Sequence, residues 1–209
     1  MAHVYPLMLD VSDRLIVIIG GGGVAARKAA GLLAAGATRV RVVAPAFADE
    51  IPDDVDCIVG AYEARHLDEA TLVFAATDSP EVNAAVVSEA RRRGIWVNRA
   101  DADEPGASDF ATPALLREGA VTITVSAAGS PAIAAKLRDS IKHTLDPRWV
   151  ALADAMVHLR AAILASPLSG DERRELFRRL ASDEAADAAH RGGVEALRGW
   201  IEQHSKLKL

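Results

Sequence analysis

The residues whose spacing carries the most chemistry are Gly20-Gly21-Gly22-Gly23-Val24-Ala25, which fit the pattern G-x-G-x-x-A. Small residues at these positions allow a tight turn, close approach of the backbone to a pyrophosphate, and close packing of a helix on a strand. The amides and dipole at the helix start then stabilise the phosphate charge. The pattern has this meaning only between a strand and a helix; elsewhere it is a tight turn with no ligand. Both flanking elements are expected. Arg14-Leu15-Ile16-Val17-Ile18-Ile19 is a short apolar run of the kind buried on both faces of a parallel sheet. Residues 24–35 place Ala25, Ala29, Leu32 and Leu33 on one helical face, with Arg27 pointing away and Gly36 set to end the helix. An acid that would hold the ribose hydroxyls is expected at the end of the second strand. That place reads Val43-Ala44-Pro45-Ala46, the nearest acids being Asp49 and Glu50, and no arginine is obviously set for a 2′-phosphate. Local chemistry therefore leaves NAD and NADP both open.

The elements that position this loop follow the same logic. Strands are expected at 40–44, 56–59, 72–76 and 95–98, with a helix over 81–93. Strands alternating with helices imply a Rossmann-like, doubly wound parallel sheet, the fold class being α/β. Residues 100–108 read as a loop. Two short segments follow, 110–112 and Val121-Thr122-Ile123-Thr124-Val125, the second a β-branched strand with one polar face. Ser130-Pro131 opens a helix, serine at the N-cap and proline at the first helical position, with Ile133, Leu137 and Ile141 as its buried stripe. From Arg148 onward the pattern is helical, with a hinge at Ser166-Pro167 and a break at Gly192-Gly193. The expected organisation is a dinucleotide-binding Rossmann domain over 1–108, a small α+β dimerisation and substrate segment over 109–147, and a helical C-terminal domain over 148–209.

Composition narrows the function further. A net charge of −5 gives no field that attracts nucleic acid or an anionic membrane surface. No apolar stretch approaches the ~20 residues of a membrane span, and residues 1–10 lack the features of a signal peptide, so a cytoplasmic protein is expected. The one cysteine, Cys57, excludes an internal disulfide and a thiolate metal cluster and reads as buried packing. His66, His143, His158, His190 and His204 have no metal-ligand spacing, and no metal site is expected.

Taken in order, several segments resemble one family. They are Tyr5-Pro6-Leu7-Met8-Leu9-Asp10, the glycine loop with Ala26-Arg27-Lys28, Val42-Val43-Ala44-Pro45, and Ala75-Ala76-Thr77-Asp78. Further on come Asn98-Arg99-Ala100-Asp101, Phe110, Pro113, and Ser126-Ala127-Ala128-Gly129-Ser130-Pro131. Over residues 5–146 this order resembles the precorrin-2 dehydrogenases, also seen as the N-terminal module of multifunctional sirohaem synthases. The resemblance implies NAD-dependent oxidation of precorrin-2, a tetrapyrrole, to sirohydrochlorin, and a homodimer built through the segment after the Rossmann domain. It also implies a proline where the ribose-binding acid would stand. Matched position by position, Gly23 and Val24, with Pro45 and Ala46, fall on cofactor-contacting places, and Asp101 on the catalytic aspartate. The loop from Asp101 to Phe110 is about two residues longer than the family's, which makes Asp103 the alternative. The turn before Ser130-Pro131 is one residue shorter than usual.

The reaction needs an acceptor for hydride, a base for a proton, and donors for a polycarboxylate. Ligands of open α/β sheets bind beyond the carboxyl ends of the strands. Gly20, Gly22, Gly23, Val24, Pro45, Ala46 and Thr77 are the candidates for the cofactor, and Asp101 for general base or orienter. Asn98, Ser126, Ser130 and Lys136 are the candidates for the substrate, with Arg99 and Arg138 as further cations; capping also accounts for Ser130. Two other readings remain: a bifunctional dehydrogenase and ferrochelatase, and an NAD-sensing regulatory module.

Overall fold

The computed structural model describes residues 5–100, 107–127 and 129–208. The chain forms two compact units, Met1–Thr112 and Pro113–Leu209. In the first, β1 (Leu15–Ile19), β2 (Arg39–Ala44), β3 (Asp56–Val59), β4 (Leu72–Ala75) and β5 (Trp96–Arg99) form one parallel sheet in the order β3-β2-β1-β4-β5. Helices α1 (Gly23–Leu33) and α2 (Pro80–Arg92) make the crossovers. All five residues of β1 and all four of β4 are buried because both sheet faces are covered. Ile16, Ile18 and Phe74 face the α1 side with Ala25 and Ala29, and Leu15, Val17, Ile19 and Val73 face the α2 side with Val86 and Ala90. Each of the buried valine, leucine, isoleucine and phenylalanine side chains contributes about 1.5–3 kcal/mol through burial. The Rossmann-like α/β fold expected from the sequence is the one found.

Chain order reverses between β1 and β4, which are hydrogen-bonded neighbours. The strand ends Ile19 and Ala75 pair in register, so the turns that leave these two strands meet at the switch point where open α/β sheets bind ligands. Beyond β5, residues 108–110 continue along its edge. The Asp109 amide donates to Val97 O (2.8 Å), the Val97 amide to Asp109 Oδ2 (3.1 Å), and Asn98 Nδ2 to Phe110 O (2.9 Å).

The second unit pairs β6 (Ala114–Glu118) with β7 (Val121–Val125) as an antiparallel hairpin, beside α3 (Pro131–Thr144). Helices α4 (Pro147–Ala165), α5 (Gly170–Leu180) and α6 (Asp183–His204) enclose a separate core that includes Leu152, Leu159, Ile163, Leu176, Leu197, Trp200 and Ile201. Gly192 and Gly193 kink α6 through non-helical dihedrals. Several expectations are corrected here. Cys57 is exposed, because β3 is the sheet edge. The strand that pairs with β7, Ala114–Glu118, was not anticipated from the sequence; it follows the short segment 110–112. Ile133 and Leu137 are 56% and 47% exposed, since only Ala134 of α3 is buried within the chain. Ser130 occupies the N-cap of α3, yet its side chain makes no capping bond.

Candidate functional site

The site begins where β1 runs into α1. Gly20 has φ +128°, and a Cβ there would lie 2.2 Å from Ala76 O; one on Gly21 would lie 2.1 Å from Ala46 O and 2.7 Å from the Ala44 Cβ. These two glycines let three turns interlock. The Gly20 amide donates to Val43 O (2.9 Å), the Ala48 amide to Gly21 O (2.8 Å), and the Ala76 amide to Ile19 O (2.8 Å). Gly22 and Gly23 are different in kind. A Cβ on Gly22 would meet nothing within 4 Å, and one on Gly23 would meet only Arg27 Nη1 at 3.7 Å. Gly22 is the N-cap of α1 and has no side-chain cap, so the first-turn amides of α1 lack the partner that a capping residue supplies. The geometry is a shallow backbone cradle open on the side that a phosphate approaches, with donors and the helix dipole behind it. The residues present therefore fit a dinucleotide.

The flanking turns complete this edge. Pro45 and Ala46 are exposed directly after β2, with no acid among them, and Val24 is partly exposed at the start of α1. Thr77, after β4, is held by Asn83 of α2, whose side chain is fully buried. Asn83 Oδ1 accepts from the Thr77 amide (3.1 Å) and hydroxyl (2.8 Å), while Asn83 Nδ2 donates to Thr77 O (2.9 Å). Asn83 thus fixes the turn that abuts Gly20. Sequence reasoning missed it, because a single asparagine on a helix resembles a solvated residue; the signal was its position four residues after the N-cap Ser79. The structure also moves Arg27 into consideration. Its exposed guanidinium lies beside Gly23, with Nη1 3.7 Å from where a Cβ on Gly23 would stand, close enough to pair with an anion bound at the start of α1.

The candidate residues divide as follows. Gly20, Gly22, Gly23, Val24, Pro45, Ala46 and Thr77 come together at the switch point. Asn98 is the penultimate residue of β5, one strand further on, buried and donating to Phe110 O. Asp101 and Asp103 lie outside the described residues, as does Ala128. Ser126, Ser130 and Lys136 belong to the second unit; Ser126 and Lys136 are exposed. Of the other cations, Arg138 pairs with Asp139 at 2.6 Å, and Arg99 Nη2 reaches Pro80 O at 3.5 Å. Among the described residues no cluster of His, Cys, Asp or Glu could hold a metal ion. No helix among them is long and apolar enough to cross a membrane.

Comparison with known proteins gives a consistent picture. A family profile described as putative NAD(P)-binding matches residues 7–114, just over half of the chain. The sirohaem synthase of Chromobacterium violaceum is 34% identical over 205 residues, covering 95% of this chain and 43% of that protein. Siroheme synthase 1 of Aeromonas salmonicida is 35% identical over 194 residues, covering 90% of this chain and 41% of that protein. The chain thus spans less than half the length of these relatives. Among solved structures, SirC, a precorrin-2 dehydrogenase, superposes with a TM-score of 0.76 at 22% identity, over 98% of this chain and 100% of that one, a likeness of fold.

Proposed function

The chain belongs to the family of the precorrin-2 dehydrogenases and the N-terminal module of sirohaem synthases, and on that premise we propose that it oxidises precorrin-2 to sirohydrochlorin with NAD as hydride acceptor. One observation carries the proposal: the open cradle of Gly22 and Gly23 at the switch point, behind which Gly20 and Gly21 are packed too tightly to carry a side chain. NAD, when bound there, supplies the ring carbon that takes the hydride. Gly22, Gly23 and the first-turn amides of α1 hold its pyrophosphate, with Arg27 beside them. Pro45 and Ala46 border the ribose without an acid, so the ribose is met by backbone and apolar surface.

Oxidation removes two electrons and one proton as hydride, and a second proton leaves the macrocycle as the new double bond forms. In this reading Asp101, just past β5, accepts that proton. Asn98, Ser126, Ser130 and Lys136 bind polar groups of the substrate. The protein acts as a homodimer, the exposed Ile133 and Leu137 of α3 and Leu115 of β6 being apolar surface that a second copy would cover.

The test of the base is substitution. Asp101→Asn keeps the shape and removes proton acceptance, which lowers turnover by about 100- to 10,000-fold while NAD affinity stays within twofold of wild type. Asp103→Asn is the control for the longer loop. Normal turnover in Asp101→Asn with loss in Asp103→Asn moves the role to Asp103, and normal turnover in both refutes an aspartate base.

A further inference from the structure

Lys28 lies on α1, and the sheet edge that carries the glycine cradle is also where α1 starts. Helical side chains lean back towards the N-terminus of their own helix, so the Lys28 stem runs towards that edge. Its ammonium is held in place: Nζ donates to Thr112 Oγ1 at 2.6 Å and lies 5.1 Å from the centroid of the Phe74 ring. Phe74 meets Phe110 edge to face, with centroids 5.4 Å apart, and Phe110 O accepts from Asn98 Nδ2 at 2.9 Å. Lys28 is thus linked through Phe74 and Phe110 to Asn98, which is proposed above to bind the substrate. Among the described residues no carboxylate pairs with it. Burial, and then the neighbouring Arg27, hold the ammonium below the usual lysine range. An ammonium has three N–H donors, of which Thr112 takes one and the aromatic face attracts the charge.

We propose that Lys28 binds a carboxylate of the substrate at the carboxyl edge of the sheet. The inference rests on the tetrapyrrole reading above, because a polycarboxylate macrocycle is the ligand whose charge would complete this partly desolvated cation. A partly buried lysine that no carboxylate among the described residues neutralises is costly in the free protein. A hydrogen bond to a ligand carboxylate is charge-assisted on both sides and among the stronger ones available. The competing role is a purely structural clasp, in which Lys28 only ties α1 to the 110–112 segment.

The test compares wild type with Lys28→Met and Lys28→Arg. Met keeps the apolar stem and removes the charge, whereas Arg keeps the charge. Three quantities are measured: fluorescence titration with uroporphyrin, an octacarboxylate macrocycle, NAD affinity by calorimetry, and steady-state kinetics with precorrin-2. The expected result is uroporphyrin binding weakened at least tenfold in Lys28→Met and largely restored in Lys28→Arg. The KM for precorrin-2 rises in parallel, while kcat and NAD affinity stay within about twofold of wild type. Unchanged uroporphyrin affinity and KM in Lys28→Met, with or without a lower melting midpoint, overturn the proposal and leave a clasp. If wild type turns over precorrin-2 and Lys28→Met equals it, the inference fails and the function stands. If wild type does not turn over but Lys28→Met loses uroporphyrin binding, the function fails and the anion site stands.

Discussion

Replacing Gly22 by aspartate sets stability and binding moving in opposite directions. Gly22 has φ −85° and ψ −173°, an extended conformation open to any residue, and a Cβ there meets nothing within 4 Å. As the N-cap of α1 it now offers no side-chain acceptor. An aspartate would accept from a first-turn amide, a gain of a few tenths of a kcal/mol over glycine. Its charge at the positive end of the helix adds about 0.3–1 kcal/mol. Gly22→Asp should therefore raise the melting midpoint slightly, by about 2–4 °C for each kcal/mol in a chain of this size. The same carboxylate would stand where the pyrophosphate binds. Like charges about 4 Å apart at an effective dielectric of 20 repel by about 4 kcal/mol, so the NAD Kd should rise at least 100-fold, as calorimetry would show. Unchanged NAD affinity in a variant that folds and melts at or above the wild-type midpoint would refute the cradle. Gly21→Ala is the contrasting control. Its Cβ would sit 2.1 Å from Ala46 O, so it should lose folding and binding together.

Three further outcomes follow from the same structure. Asn83→Leu removes three hydrogen bonds at a fully buried position and strands the Thr77 amide, so chemical denaturation should show a loss of about 2–4 kcal/mol. Glu89 is held down to about 2 by hydrogen bonds from Arg92 and Arg93. A depressed folded pKa stabilises above the unfolded value and is lost as pH falls through the folded one, so the gap in melting midpoint between wild type and Glu89→Gln should be present at neutral pH and shrink from about pH 4.5 towards pH 2. Light scattering at micromolar concentration should give about twice the 22.1 kDa chain mass; a single species at that mass would remove the dimer from the account.

Much of the first unit was legible in the sequence because its signals are local. The run Leu15–Ile19 is apolar at every position since it is covered on both faces, and four glycines can follow it only where backbone must approach backbone or a ligand. What was missed depends on partners that only the folded chain brings together. Asn83 shows its role only when it folds onto Thr77, and Lys28 only beside Phe74 and Thr112. Cys57 sits in an apolar run, but the run is an edge strand, so the same residues that read as core are exposed. The Ala114–Glu118 strand carries no β-branched residue and no clean alternation, and its partner β7 is what makes it a strand. The α3 stripe was read correctly as apolar and incorrectly as buried, because periodicity states that a face needs covering and not whether this chain covers it.

The central claim is tested most directly by anaerobic turnover of the purified protein with precorrin-2 and NAD, following reduced nicotinamide and sirohydrochlorin together. Excluding oxygen removes spontaneous oxidation of the macrocycle as a source of product. The account predicts both products in equal amounts, at a rate proportional to protein concentration, with none when NAD is omitted. Sirohydrochlorin formed at the same rate without NAD, or no product from a protein that binds NAD normally, would contradict it.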